Sequence, residues 1–280
     1  MVMALISTGV LITLCALVGG LAFEVWVLRA DKAATVREAT QTLRLRWLRI
    51  CTLAMMVSST LALATGLPTS IWIIRLLMGG GVLLLLRHPR PAREQWSALL
   101  VGLLLLQTQS FVSRSAHLPN PVVPLLADWF HLTLAAIWLG GVGMLTVVIL
   151  SIWRNPDRER VVALSVIMAR FSLLALFCVL GLAFSGIAQA GLFLKGFEDL
   201  LRTTYGITLS IKLLIFLGLI GFGAFHQQVI MPRLRRWLLV AIGGPSAMDT
   251  MAQLRWSLLL ESSLGLVLLI VVGLLISFTP

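Results

Sequence analysis

Residues 125–152 read LLADWFHLTLAAIWLGGVGMLTVVILSI, a stretch of 28 positions whose only ionisable side chains are Asp128 and His131. A helix rises about 1.5 Å per residue, and about 20 apolar residues cross the hydrocarbon core of a bilayer. The stretch is long enough to span and too apolar to face water. Working outward in both directions, the same pattern recurs near 3–28, 47–65, 71–86, 96–112, 161–190, 207–229 and 257–277. Hydrophobic residues make up 59% of the 280 positions and charged ones 12%, about half the charge of a soluble domain. The expected fold is all-α: one polytopic membrane domain over 1–280, a bundle of about eight transmembrane helices. Four runs fall in 1–112 and four in 125–278.

The formal net charge of +11 is distributed by topology. Arg29, Lys32, Arg37, Arg44 and Arg46 follow the first run, Arg87, Arg90 and Arg93 the third. Arg154, Arg158 and Arg160 follow the fifth, and Arg233, Arg235, Arg236 and Arg255 the seventh. The alternate connections hold only Arg114, Lys195 and Arg202. By the positive-inside rule the basic connections face the cytoplasm, and both termini lie outside. The basic balance is therefore a signal of orientation in a lipid bilayer and not of nucleic-acid binding. No basic residue precedes the first run, and its apolar stretch is longer than a signal-peptide core, so it reads as a retained span.

Function has to come from polar groups placed in the apolar runs, each of which is costly in lipid. On the outer side lie Asp128 and His131, Lys212, Arg75, Gln107, Gln109 and Gln189, with His117 in the loop above. Asp128 and His131 are three residues apart and share a helix face, with Trp138 two turns further along it. A carboxylate beside an imidazole can fix its tautomer for metal ligation or simply hold it in place. With His117 brought back over the helix end, two imidazoles and an acid suit copper or zinc. On the inner side lie Glu24, Arg170, Glu261 and His226. The first three read as buried ion pairs locking helix register, or as an inner gate or proton-coupling site, and His226 as an ordinary helix-end residue. Cys15, Cys51 and Cys178 are isolated in separate runs and read as packing residues, as do most methionines. The Gly79–Gly81 run reads as close helix packing. The proline-rich 113–124 ends one helix and starts the next, and 191–206 reads as a short interfacial helix. No P-loop, nucleophile–base pair or paired carboxylates on one face is present, so no enzyme is expected.

Four motifs in order resemble the CopD family of bacterial copper-resistance and copper-uptake membrane proteins. They are Asp128-Trp129-Phe130-His131 leading to Trp138-Leu139-Gly140-Gly141; Arg170-Phe171-Ser172 with Ser185-Gly186 and Gln189-Ala190; Tyr205-Gly206 and Lys212 with Pro232-Arg233-Leu234; and Arg255, Ser257 and Glu261. His117 is similar in placement to a family histidine, whereas His226 stands where members often carry Asn. The resemblance covers about 125–278. It implies copper transport across the bacterial cytoplasmic membrane, inward, with His117, Asp128 and His131 as the outer capture site and a periplasmic CopC-type protein as partner. Two alternatives remain from the residues: a haem b-binding electron-transfer subunit and a structural or assembly subunit of a membrane complex.

Overall fold

The computed structural model describes residues 2–29, 31–64, 69–87, 92–113, 120–154, 157–193, 198, 202–239 and 247–277. Within them the chain forms α1 (Val2–Ala22), α2 (Ala34–Ala64), α3 (Thr69–Leu85), α4 (Ala92–Ser110), α5 (Val122–Ile152), α6 (Arg158–Phe193), α7 (Thr204–Phe225), α8 (Met231–Leu239) and α9 (Ala247–Ser277). No strand occurs among the described residues. Every apolar run of the sequence lies on one of these helices. Six spans are long and apolar enough to cross a membrane, those built on α1, α2, α5, α6, α7 and α9. The helices α3 and α4, at 17 and 19 residues, are shorter. The chain is a multi-pass membrane protein.

Two of the basic connections hold more helix than the sequence suggests. The basic connection 29–46 is helical over most of its length: a 3₁₀ turn at Asp31–Ala33 leads into α2, which runs unbroken from Ala34. Its basic residues do not all meet water, because Arg44 is 1% exposed. Residues 231–256 likewise hold α8 and the first turns of α9. Two helices also widen into π-helical turns that hydropathy gives no sign of, Phe23–Val27 after α1 and His226–Ile230 after α7. Of 191–206, where an interfacial helix was expected, 191–193 end α6 and 204–206 begin α7, while most of 194–201 and His117 lie outside the described residues.

The helices α1 and α5 are the most enclosed spans and α7 the least. α1 packs on α2, α4, α5 and α9, while α5 also meets α6 and α9. Lipid is as apolar as leucine, so such packing depends on close fit and small residues more than on hydrophobic drive. The closest approach is between Gly19 of α1 and Gly140 of α5. A Cβ on Gly140 would run into the backbone carbonyl of Cys15, and one on Gly19 into that of Ala136. Of the Gly79–Gly81 run only Gly79 is a close contact, at 2.9 Å from Met55 and Met56 side-chain atoms, and Gly80 and Gly81 have open space.

Gly140→Ala should therefore destabilise the bundle, by more than the usual ~1–3 kcal/mol of overpacking because backbone cannot yield as a side chain does. Gly143→Ala, with nothing within 4 Å of its new methyl, is the matched control. Thermal unfolding in detergent should separate the two, and equal melting points would show that the α1–α5 crossing is looser than described.

Candidate functional site

His131 lies two and a half turns into α5, half-buried between α6 and α7. Its Nδ1 is 2.8 Å from Ser185 Oγ. That hydroxyl donates its own proton to the Gly181 carbonyl at 2.7 Å, an i−4 bond common for serine in helices. Ser185 can then only accept from the imidazole, so Nδ1 carries the proton and Nε2 keeps its lone pair. Nε2 faces Lys212 Nζ at 3.4 Å. Asp128, one turn earlier, lies close to Ser113 at the end of α4 and balances the Lys212 charge. As it stands, the lysine Nζ occupies the position that the imidazole Nε2 faces.

This group opens on a cavity of about 310 Å³ walled by α5, α6, α7 and α9. His131 and Lys212 are its charged or titratable groups; Trp138, Leu182, Phe216 and Leu268 are among its apolar walls. Trp138, 4% exposed, closes the inner end and meets Phe216 edge-on, with ring centroids 5.6 Å apart and planes at 86°. Beyond Trp138 lies a second cavity of about 300 Å³, lined by Met168, Phe171, His226 and Glu261 among others. Trp138 borders both. The neighbouring glycines of the same motif have separate tasks: Gly140 admits α1, and Gly141 admits the Phe171 ring, 2.6 Å from where its Cβ would stand.

The other outer polar residues do not join His131. Arg75, fully buried, donates to Thr108 Oγ1 at 2.7 Å and to Gln109 Oε1 at 3.0 Å, and its guanidinium lies 4.5 Å from the Trp72 ring centre. Gln109 in turn donates to Ser7 Oγ at 3.2 Å. This network ties α3 and α4 to α1. Gln189 donates to the Ala127 carbonyl at 3.2 Å, bracing the start of α5 against α6. Gln107 is half-buried on α4 and does not line the cavity. Among the described residues no three His, Cys, Asp or Glu side chains converge, and the position of His117 is outside them.

On the inner side the expected pairing of Glu24, Arg170 and Glu261 gives way to three separate arrangements. Glu24 pairs with Arg44, which also donates to Thr40 Oγ1 at 2.8 Å and to the Arg37 carbonyl at 2.6 Å. Arg170 is exposed and donates to the Trp26 carbonyl at 3.3 Å. Glu261 faces His226, with Oε2 3.5 Å from Nδ1. His226 is no ordinary helix end: it is buried and opens the π-helical turn. Sequence reading carried Ser185 and Ser257 only as motif residues and did not assign them the role of holding the imidazoles. The signal available for Ser257 was its spacing, four residues before Glu261 on the same helix face.

Residues 165–275 match the family described as Copper resistance protein D. Over 165 residues the chain is 33% identical to the copper transport protein CutJ of Bacillus subtilis (strain 168), covering 56% of this chain and 30% of that protein. Over 157 residues it is 28% identical to the inner membrane protein YebZ of Escherichia coli (strain K12), covering 54% of this chain and 47% of that one. The chain thus spans less than half the length of these relatives. No solved structure matches it. The family segment carries Ser185, Lys212, His226, Ser257 and Glu261, while Asp128, His131 and Trp138 precede it.

Removing one partner of the enclosed Glu24–Arg44 pair strands a charge, at a cost of about 3–5 kcal/mol, whereas replacing both by apolar residues is close to neutral. Arg44→Met should lower the unfolding midpoint strongly, and Glu24→Leu with Arg44→Met should recover most of it. Equal losses in the single and double variants would mean the pair is not coupled.

Proposed function

We propose that this chain, whose residues 165–275 match the Copper resistance protein D family, is a permease for copper ions in a bacterial cytoplasmic membrane, working inward. The observation that carries this reading is the His131 ring, held at Nδ1 by Ser185 and presenting Nε2 to a membrane-embedded cavity, where Lys212 now faces it. A relative with 33% identity is named as a copper transport protein, which supplies the cargo. Imidazole is a good copper ligand, and a serine on the opposite ring nitrogen orients it as outer-shell partners of metal sites do.

The ion is substrate here. Lys212 occupies the cation position in its absence, so capture requires the ammonium to move off Nε2, with Asp128 left to balance the arriving charge. His117, from the connection before α5, completes the capture site, and a periplasmic CopC-type protein delivers to it. The bias of basic residues supports an orientation with both termini and this site on the outer side, α3 and α4 being additional spans. The role is transport and not catalysis. His131 and His226 line different cavities with Trp138 between them and do not share a haem; the haem alternative rests on His117 with His131, and His117 lies outside the described residues.

Cells producing His131→Ala at wild-type membrane levels should accumulate little copper, and Ser185→Ala should weaken copper affinity roughly 10-fold by freeing the ring. Unchanged accumulation in His131→Ala would remove the capture site. A visible spectrum of the purified protein should lack a Soret band, and its presence would favour the haem reading.

A further inference from the structure

The inner cavity repeats the arrangement of the outer one with an acid in place of the lysine. His226 Nε2 is 2.8 Å from Ser257 Oγ, and that hydroxyl donates to the Leu254 carbonyl at 3.0 Å. With the serine proton on that carbonyl, the hydroxyl accepts from Nε2, and Nδ1 then presents a lone pair. Opposite it, 3.5 Å away, stands Glu261 Oε2. That oxygen is buried, has no hydrogen-bond partner, and belongs to a side chain 3% exposed within the residue as a whole. Nδ1 and the carboxyl oxygen therefore face each other inside the membrane, and either a proton on the carboxyl or a metal cation must stand between them. A buried acceptor left with neither is costly.

The spacing fits a metal. Nitrogen and oxygen donors ~2.0–2.1 Å from a tetrahedral ion lie ~3.3 Å from each other. Met168 lines the same cavity and offers a thioether, a soft ligand suited to Cu(I). His226 also begins a π-helical turn, a local widening that often marks functional positions and that re-aims side chains relative to a regular helix.

We propose that the inner cavity is a second copper station, in which His226 Nδ1 and Glu261 Oε2 hold the ion with Met168 as the third donor, separated from the outer cavity by the Trp138–Phe216 contact. It rests on the copper reading above and supplies what that reading lacks, a landing place on the cytoplasmic side of the aromatic divide. The inner station has no resident ammonium, so a cation arriving past Trp138 meets an acid and an imidazole already directed at each other. The ordering is directional: repulsion by Lys212 at the outer site, attraction by Glu261 at the inner one.

The test is anaerobic Cu(I) titration of the full chain in detergent against a chromophoric chelator. Wild type should bind two ions per chain, and His226→Asn and Glu261→Gln one each. Met168→Leu should retain two while losing a sulfur neighbour in the copper X-ray absorption spectrum. Glu261→Gln keeps the side-chain shape, so it decides the matter should His226→Asn not fold. One ion in wild type, lost in His131→Ala and kept in His226→Asn and Glu261→Gln, would overturn the inner station and leave outer capture standing; the gap would then hold a proton only. One ion kept in His131→Ala and lost in Glu261→Gln would do the reverse. No binding in wild type would sink both.

Discussion

The contact of Gly19 with Gly140 sets the orientation of everything polar in this bundle. Two helix backbones meet there without a side chain between them, which fixes how α5 is rotated about its axis as well as where it lies. Trp138 is two residues from Gly140, about 200° around the helix, and His131 is seven residues before Trp138, back on its face. With Gly140 committed to α1, the histidine and the tryptophan are turned to the opposite side, toward α6 and α7. The WLGG motif is thus one mechanical unit: an aromatic divider, a backbone contact, and a slot for the Phe171 ring that walls the inner cavity.

Inside that frame the polar groups obey the rule that a membrane interior tolerates few unsatisfied atoms. Arg75 is taken up by Thr108, Gln109 and the Trp72 face, and Glu24 by Arg44. These are structural ties between helices. The two described histidines are handled differently. Each has one ring nitrogen bound to a serine whose own proton goes to its helix backbone, so each has the other nitrogen left as an acceptor. A serine in this role fixes the tautomer without introducing charge, and it directs one lone pair into each cavity. What faces that lone pair then distinguishes the cavities, an ammonium in one and a carboxylate in the other.

Most errors of sequence reading came from treating residue type as location. Arg44 counts toward a cytoplasmic loop when basic residues are tallied between apolar runs. It is instead enclosed on α2, because helix propagation continues through 34–46 and brings it against Glu24, twenty residues away in the chain. His226 reads as the last turn before a basic segment, and only the π-helical widening and the arrival of α9 turn it into a buried partner of Glu261. Arg170 pairs with neither glutamate: it is exposed on α6 and donates to the Trp26 carbonyl.

From the sequence alone came the helical membrane architecture, the shared face of Asp128, His131 and Trp138, and the family motifs that point to copper. Those are local properties: apolar length, the 3.6-residue period and short spacings are written along one helix at a time. Which polar atoms satisfy one another, and the division of the interior into two cavities at Trp138, was decided only by tertiary structure. Helices in lipid have no solvent-driven preference for one neighbour over another, so partnership depends on backbone fit at small residues, and that fit exists only when the helices meet.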